Sequence, residues 1–354
     1  MKVLTVAVPA YNAEKTIEKC LDSFVGAGEF EGILKESDKR LEVIVVNDGS
    51  SDKTAEITEN YVKKYEGIIS LVNKENGGHG SVINCASEIA KGTYFKVLDS
   101  DDWIETKNLA CILDALEKAD GPDVVVTSYK SINESNGSVQ DYSSPSEYDR
   151  KIVEIDEFSK IFENIPSSYQ FHGLCYRTDF YQSLNLKLTE KVSYEDQEYA
   201  ILPFLKAEKI LFLNELFYIY RLGSEGQTVN FANQAKKLGN METVIKRMVN
   251  DHVEAKKSDS WTKERELFFV KRLSMAVTSY YATALVKAEN KKEGLLNAES
   301  LREFLMKEDK AVADYSNGRF ETLKKASKIP GLSGAYKKLS DSKVYKSFKK
   351  KWIK

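Results

Sequence analysis

The strongest constraint on this chain's fold is the alternation of short apolar runs with helically spaced apolar residues over roughly the first hundred positions. Residues 3–8, 41–46, 68–72 and 94–98 are apolar, β-branched-rich runs of strand length. A helical pattern separates each from the next. Ile17, Cys20, Leu21 and Phe24 predict an amphipathic helix over 14–25. Ala55, Ile57, Tyr61 and Val62 mark the apolar face of a second helix, which Ser50 or Ser51 can cap. The turn Asn76-Gly77-Gly78-His79-Gly80-Ser81 opens a third helix over 82–90, ended by Gly92. Such alternation predicts βαβ units and a mostly parallel sheet with right-handed crossovers.

Three of these strands end in polar, turn-forming residues: Pro9-Ala10-Tyr11-Asn12, Asn47-Asp48-Gly49-Ser50 and Asp99-Ser100-Asp101-Asp102. In a parallel sheet these ends meet on one rim, where open α/β sheets bind ligands. Three carboxylates in four positions supply hard oxygen ligands suited to Mg²⁺ or Mn²⁺, ions that also hold substrate phosphates. The competing reading is that Asp101 or Asp102 caps a helix starting near Trp103. The convergence of three polar strand ends favours a ligand site.

Further on, helical spacing covers 109–116 and a strand 123–128. Residues 131–149 read as a polar loop or exposed hairpin. A helix at 158–162 and a strand at 171–177 follow. The acidic run 192–198 precedes a helix over 199–205, then short strands at 210–213 and 217–220 and a polar loop at 221–228. From 231 onward long helical patterns dominate, at 235–255, 263–287 and 298–315. The expected organisation is an α/β domain over 1–230 and a helical region over 231–354.

The net charge of −2 carries no signature of a nucleic-acid partner. Four dispersed cysteines and three dispersed histidines form no zinc motif, and free thiols fit a reducing compartment. No 18-residue apolar run and no signal-peptide pattern occurs. The expectation is a cytosolic protein, or one held at the inner face of the cell membrane.

With these pieces in order, the first 230 residues resemble inverting glycosyltransferases of family 2, which have the GT-A nucleotide-sugar-binding, Rossmann-like fold. The matching runs are Val8-Pro9-Ala10-Tyr11-Asn12, Val46-Asn47-Asp48-Gly49-Ser50-Ser51-Asp52, Asn76-Gly77-Gly78, Leu98-Asp99-Ser100-Asp101-Asp102-Trp103, Glu195-Asp196 and Tyr220-Arg221. The helical region lies outside the match. The resemblance implies a UDP-sugar donor and a Mn²⁺ or Mg²⁺ cofactor. It places Pro9, Tyr11 and Asn12 in the uridine pocket, with Asp48 on the uracil or ribose. Asn76, Gly77, Gly78 and Ser100 belong to the donor side, and Asp99 sits near the ribose and donor sugar. Asp101, with Asp99, holds the metal, and Arg221 faces the diphosphate. Asp196 is the general base and Glu195 the alternative base. After Asn-Gly-Gly the family pattern expects an arginine where this chain has Ile83, while Asn84 fits the asparagine that follows. His79 is the candidate replacement for the missing cation. His172 falls on the acceptor side, where a hydrogen-bonded strand histidine is the alternative.

The tail from Arg319 to Lys354 carries a local charge of +10. On a helix, Val344, Phe348 and Trp352 form an apolar stripe with lysines opposite. Such a helix suits an anionic membrane surface; the alternative is docking on the protein's own helices or on a second subunit in a homodimer. The implied acceptor is a surface polysaccharide, wall glycopolymer or glycoprotein glycan, lipid-linked or on protein. Two rivals stand beside this reading: a nucleotidyltransferase, whose glycine-rich loop would follow the first strand, and a non-catalytic UDP-sugar-binding scaffold protein.

Overall fold

A computed structural model describes residues 1–34, 37–162, 170–223 and 235–329. The chain divides into one unit of Met1–Phe158 with Ser167–Ser224 and another of Ser159–Pro166 with Glu225–Lys354.

In the first unit, strands β1 (Leu4–Ala10), β2 (Leu41–Asp48), β3 (Ile69–Lys74) and β4 (Tyr94–Val97) pair in parallel in the order β3-β2-β1-β4. Helices α1 (Ile17–Val25), α2 (Thr54–Lys64) and α3 (His79–Ile89) connect them. Strand β1 lies between β2 and β4 and is buried along its whole length, which is why its sequence is continuously apolar rather than alternating. Its one hydroxyl is satisfied: Thr5 Oγ1 donates to Glu42 Oε2 (2.6 Å) and accepts from the Gly92 N–H (2.8 Å). A Cβ at Gly92 would come within 2.4 Å of the Thr5 nitrogen. Gly92 is therefore a close-approach glycine beside β1; α3 already ends at Ile89.

The remaining strands are β5 (Trp103–Ile104), β6 (Val124–Asn133), β7 (Ser138–Tyr142), β8 (Ile152–Glu154), β9 (Leu174–Arg177) and β10 (Lys209–Leu222). They continue the sheet as β4-β9-β6-β10-β5, with β7 on β6 and β8 on β10. Strand β9 runs antiparallel to β4 and β6, while β6 and β10 are parallel. The helices of this part are α4 (Leu109–Lys118), α5 (Ile155–Phe162), α6 (Thr178–Ser183) and α7 (Asp196–Ile201).

Several expectations need correction. Trp103 opens no helix; Trp103 and Ile104 pair antiparallel with Ile219 and Tyr218, so neither Asp101 nor Asp102 caps one there. The runs 210–213 and 217–220 are one strand, β10, whose register against β6 shifts between Leu213 and Tyr218. The region 131–149 contains the β6–β7 hairpin. The helix expected over 199–205 starts at Asp196 and turns 3-10 at Leu202–Leu205, where Pro203 has no N–H for an α-helical bond. On α2 the buried residues are Thr54 and Thr58, and Ala55, Ile57, Tyr61 and Val62 are half-buried. Asp52, not a serine, accepts from the Thr54 N–H (3.0 Å).

The second unit contains α8 (Leu238–Ala255), α9 (Lys263–Ala282) running into a π turn at Thr283–Lys287, α10 (Lys291–Glu308) and α11 (Lys310–Ala326). The helix expected over 298–315 is broken at Asp309, whose carboxylate accepts from the Val312 N–H and caps α11. No described helix is long and apolar enough to cross a membrane. The basic tail from 330 and the loop at 224–234 lie outside the described residues.

Asp309 also anchors a buried polar cluster. His252 is fully buried, with Nδ1 at 2.6 Å from Asp309 and Nε2 at 3.0 Å from Glu266. Lys256 reaches both acids, and Trp261 Nε1 donates to Glu266 (2.9 Å). Burial opposes an imidazolium, but the hydrogen bonds it donates to Asp309 and Glu266, with the charges of those acids, outweigh it and raise His252 above its ordinary value. A group raised in the folded state stabilises below its unfolded pKa, near 6.5, and loses that contribution as pH climbs through the folded value. Urea unfolding followed by helix ellipticity from about pH 6 to about pH 9 should show wild-type stability falling faster than that of His252→Gln, by up to about 1.4 kcal/mol per pH unit. Parallel curves would remove the imidazolium from the cluster.

Candidate active site

Strand order β3-β2-β1-β4 puts a topological switch point between β1 and β4, because the chain winds away from β1 in one direction through β2 and β3 and then returns to its other side. A cleft of about 540 Å³ opens at the carboxyl ends of these strands. Pro9, Tyr11, Asn12, Asp48, His79, Asp99, Ser100, Asp101 and Arg221 line it, all expected site residues. Lys15 and Thr16, just before α1, line it too. Nothing in their sequence context singled them out, since a lysine ahead of an amphipathic helix is commonplace. Asn76, Gly77, Gly78, His172, Glu195 and Asp196 are not among its lining residues.

Asp48 explains the place of the Asn-Gly-Gly run. Its carboxylate is 3% exposed and accepts from the N–H groups of Gly77 (2.9 Å) and Gly78 (2.8 Å) and from Lys74 Nζ (2.8 Å). Asn76 donates to the Asp48 carbonyl (2.9 Å). Gly78 holds φ +85°, a conformation glycine adopts without strain, and this turns its N–H toward the carboxylate. The nest of backbone donors is thus filled by the chain's own anion. The loop after β1 is tied to the same place: the Asn12 N–H donates to Ser50 Oγ (3.0 Å), and Asn12 Oδ1 accepts from the Ser51 N–H (2.9 Å).

The three clustered carboxylates separate into different roles. Asp102 is 1% exposed and accepts hydrogen bonds from the Tyr218 hydroxyl and the Arg221 N–H. Burial, reinforced by Asp101 and Asp99, pushes it well above the carboxylate range. It ties the loop to β10 from beneath, leaving Asp99 and Asp101 on the cleft. Arg221 pairs with Glu134 (2.7 Å).

His172 stands on the far side of Asp99. Its ring packs on Tyr220 (4.2 Å between centroids) and edge-on to Tyr218 (4.8 Å). Burial drives its pKa down to about 4, so it is a neutral imidazole, and its Nδ1 is buried with no hydrogen-bond partner among the described residues. Ligand atoms of Asp99, Asp102 and His172 lie within 4.8 Å of one another. Asp102 is occupied by Tyr218 and the Arg221 N–H, so Asp99 and the neutral imidazole, with Asp101 on the adjoining cleft wall, form the oxygen and nitrogen donor set that fits a divalent cation. Below His172, the fully buried Lys96 donates to the carbonyls of His172 (2.7 Å) and Leu174 (3.0 Å). Sequence pattern shows Lys96 only as an interruption of an apolar strand.

Glu195 and Asp196 begin α7. Glu195 is 4% exposed, and its Oε1 lies 2.8 Å from His79 Nδ1. His79 Nε2 lies 2.9 Å from Asp99 Oδ1. Gly80 permits this approach, because a Cβ there would sit 2.5 Å from the Thr189 carbonyl oxygen and 3.0 Å from Glu195 Cγ. Asn84 clasps the backbone of Leu188 through both ends of its amide (2.8 and 3.0 Å). Ile83 is fully buried, so position 83 contributes packing, and the cationic side chains that line the cleft are Lys15 and Arg221. Burial, then repulsion from Glu195, raises Asp196 to about 6, with His79 pulling the other way. Glu195 is committed to His79, whereas Asp196 accepts a long hydrogen bond from the Gln197 side-chain amide (3.4 Å).

A model of glycosyl transferase family 2 matches residues 5–192, more than half of the chain. The glycosyltransferase GlyA of Streptococcus pneumoniae is 29% identical over 225 residues, 62% of this chain and 30% of GlyA. The poly(ribitol-phosphate) beta-glucosyltransferase of Bacillus spizizenii is 29% identical over 258 residues, 72% of this chain and 38% of that protein. The match therefore spans well under two-thirds of the length of these relatives. Among solved structures, residues 1–349 of S. aureus TarS in complex with UDP-GlcNAc align with a TM-score of 0.64 at 20% identity, covering 92% of this chain and 90% of that one. The strand order, the cleft at the switch point and the family match agree: the chain has the GT-A fold and belongs to glycosyl transferase family 2.

Proposed function

We propose that this protein is an inverting, metal-dependent glycosyltransferase that moves a sugar from a UDP-sugar to a hydroxyl of a surface-polysaccharide, wall-glycopolymer or glycoprotein acceptor. The observation that carries the proposal is the pairing of two unlike carboxylate sites. Asp99 and Asp101 face a cleft also lined by Lys15 and Arg221, while Asp196, reached through His79 and Glu195, sits near pKa 6. The names of two similar proteins support the choice of substrates. TarS was crystallised with UDP-GlcNAc, and the Bacillus spizizenii relative acts on poly(ribitol phosphate). Four free thiols suit the reducing compartment that holds nucleotide sugars.

Pro9, Tyr11 and Asn12 would flank the uridine. An ionised carboxylate has about four acceptor positions. Asp48 uses three internally and keeps one for a uracil N–H or ribose hydroxyl. Lys15 and Arg221 would offset the diphosphate charge. Asp101 and Asp99, with His172 beside Asp99, would hold Mn²⁺ or Mg²⁺, and the bound ion would stabilise the negative charge that develops on UDP as it leaves. Asp196 would accept the acceptor hydroxyl's proton as that oxygen bonds to the anomeric carbon from the face opposite UDP. The bond from the anomeric carbon to the UDP oxygen breaks as the new one forms, so configuration inverts.

Asp196→Asn should lower kcat by about 10²–10⁴-fold with UDP affinity unchanged. The wild-type kcat/KM profile should lose activity as pH falls through about 6, the limb reporting Asp196 protonation. Unchanged turnover in the variant would remove Asp196 from the mechanism. A wild type that binds UDP-sugar yet transfers nothing to any acceptor would identify a binding protein instead. In calorimetry, Mn²⁺ should strengthen UDP binding to the wild type but not to Asp101→Ala. An equal Mn²⁺ effect in both would take Asp101 out of the metal site.

A further inference from the structure

We propose that His79 is a positioning residue that holds the Asp196-bearing end of α7 in register with Asp99 on the cleft wall, rather than a ligand of the donor diphosphate. This rests on the reading of Asp196 as the base. The geometry is specific. His79 is the first residue of α3, and its two ring nitrogens meet Asp99 Oδ1 at 2.9 Å and Glu195 Oε1 at 2.8 Å. Both ring nitrogens are directed at carboxylate oxygens, which leaves the ring no free nitrogen for a phosphate oxygen. One imidazole therefore joins two acids separated by nearly a hundred positions in sequence, one on the cleft wall and one immediately before Asp196.

The segment held by this bridge is not self-sufficient. Tyr194, directly before Glu195, has φ +78°, a left-handed conformation that a non-glycine residue keeps only when its surroundings impose it. The second oxygen of Glu195 is buried with no hydrogen-bond partner among the described residues. Without His79, Glu195 would be a buried carboxyl group with neither oxygen hydrogen-bonded to a side chain among the described residues, and the turn would relax toward water. Two further ties act on the same segment. The Lys191 N–H donates to the Gly77 carbonyl (2.8 Å), and Glu198 accepts from Thr189 through its N–H (2.7 Å) and hydroxyl (2.6 Å). They hold the residues on either side, so losing His79 would free residues 194–196 without unfolding the unit. Gly80 fits this picture, since the space a side chain would fill is taken by the Thr189 carbonyl and by Glu195.

The test uses the full chain with His79→Phe, which keeps a ring and removes both hydrogen bonds, and His79→Gln, which restores a donor. Hydrogen–deuterium exchange over residues 194–201 should quicken by about tenfold in His79→Phe while β1 and β2 stay protected. In the same variant kcat should fall by about 10²-fold, with the Kd for UDP changed by less than about threefold, and His79→Gln should recover part of the rate. A UDP affinity that falls in step with kcat would make His79 a donor ligand and overturn the proposal. Unchanged exchange over 194–201 in both variants would overturn it as well. The exchange readout needs no substrate, so it decides the tether even if the wild type proves to transfer no sugar, a result that would count against the proposed function alone.

Discussion

The parallel pairing of β1 with β2 on one side and β4 on the other is the constraint on which the site depends. It is possible because β1 presents apolar residues to both faces and hides its single hydroxyl against Glu42 and the Gly92 backbone. Once those three strands are adjacent, the loops after Ala10, Asp48 and Val97 have to leave the sheet from the same edge. The cleft is a consequence of topology, and its residues come from sequence segments that have no local reason to meet.

Gathering so many acids at one edge creates an electrostatic problem that the fold solves in three ways. Asp48 is neutralised by two glycine N–H groups and Lys74. Asp102 is buried against Tyr218 and pushed toward its protonated form. Asp99 and Glu195 share one histidine. Asp101 stays on the cleft wall, and Asp196 sits at the start of α7 with a raised pKa. The chemistry proposed above needs this asymmetry: one carboxylate suited to a cation and another able to take up a proton near neutral pH.

Much of this was legible in the sequence because it follows from periodicity. The first four strands, their crossover helices and the polar strand ends are set by local apolar spacing and turn residues. What was not legible depends on distant partners. Trp103 looks like the start of a helix until Ile219 supplies the strand it pairs with. The helical pattern over 298–315 runs through Asp309, and only the buried His252 shows why the chain breaks there. Lys96 and His172 are single residues whose importance comes from what packs around them: two carbonyls for the lysine, and two tyrosine rings and Asp99 for the histidine. The glycine-rich run was recognised as a turn, but that Gly77 and Gly78 bind the chain's own Asp48 could not be read from spacing.

If the proposed chemistry is right, the cleft beside Asp99 and Asp101 is where a nucleotide diphosphate and its cation bind. A crystal structure of the protein soaked with UDP and Mn²⁺, using the anomalous signal of manganese to locate the ion, tests this most directly. The expected result is one manganese site coordinated by Asp101 or Asp99 and uridine density between the β1 loop and Asp48, with His79 still bridging Asp99 and Glu195. Manganese or nucleotide bound elsewhere on the protein, with this cleft empty, would contradict it.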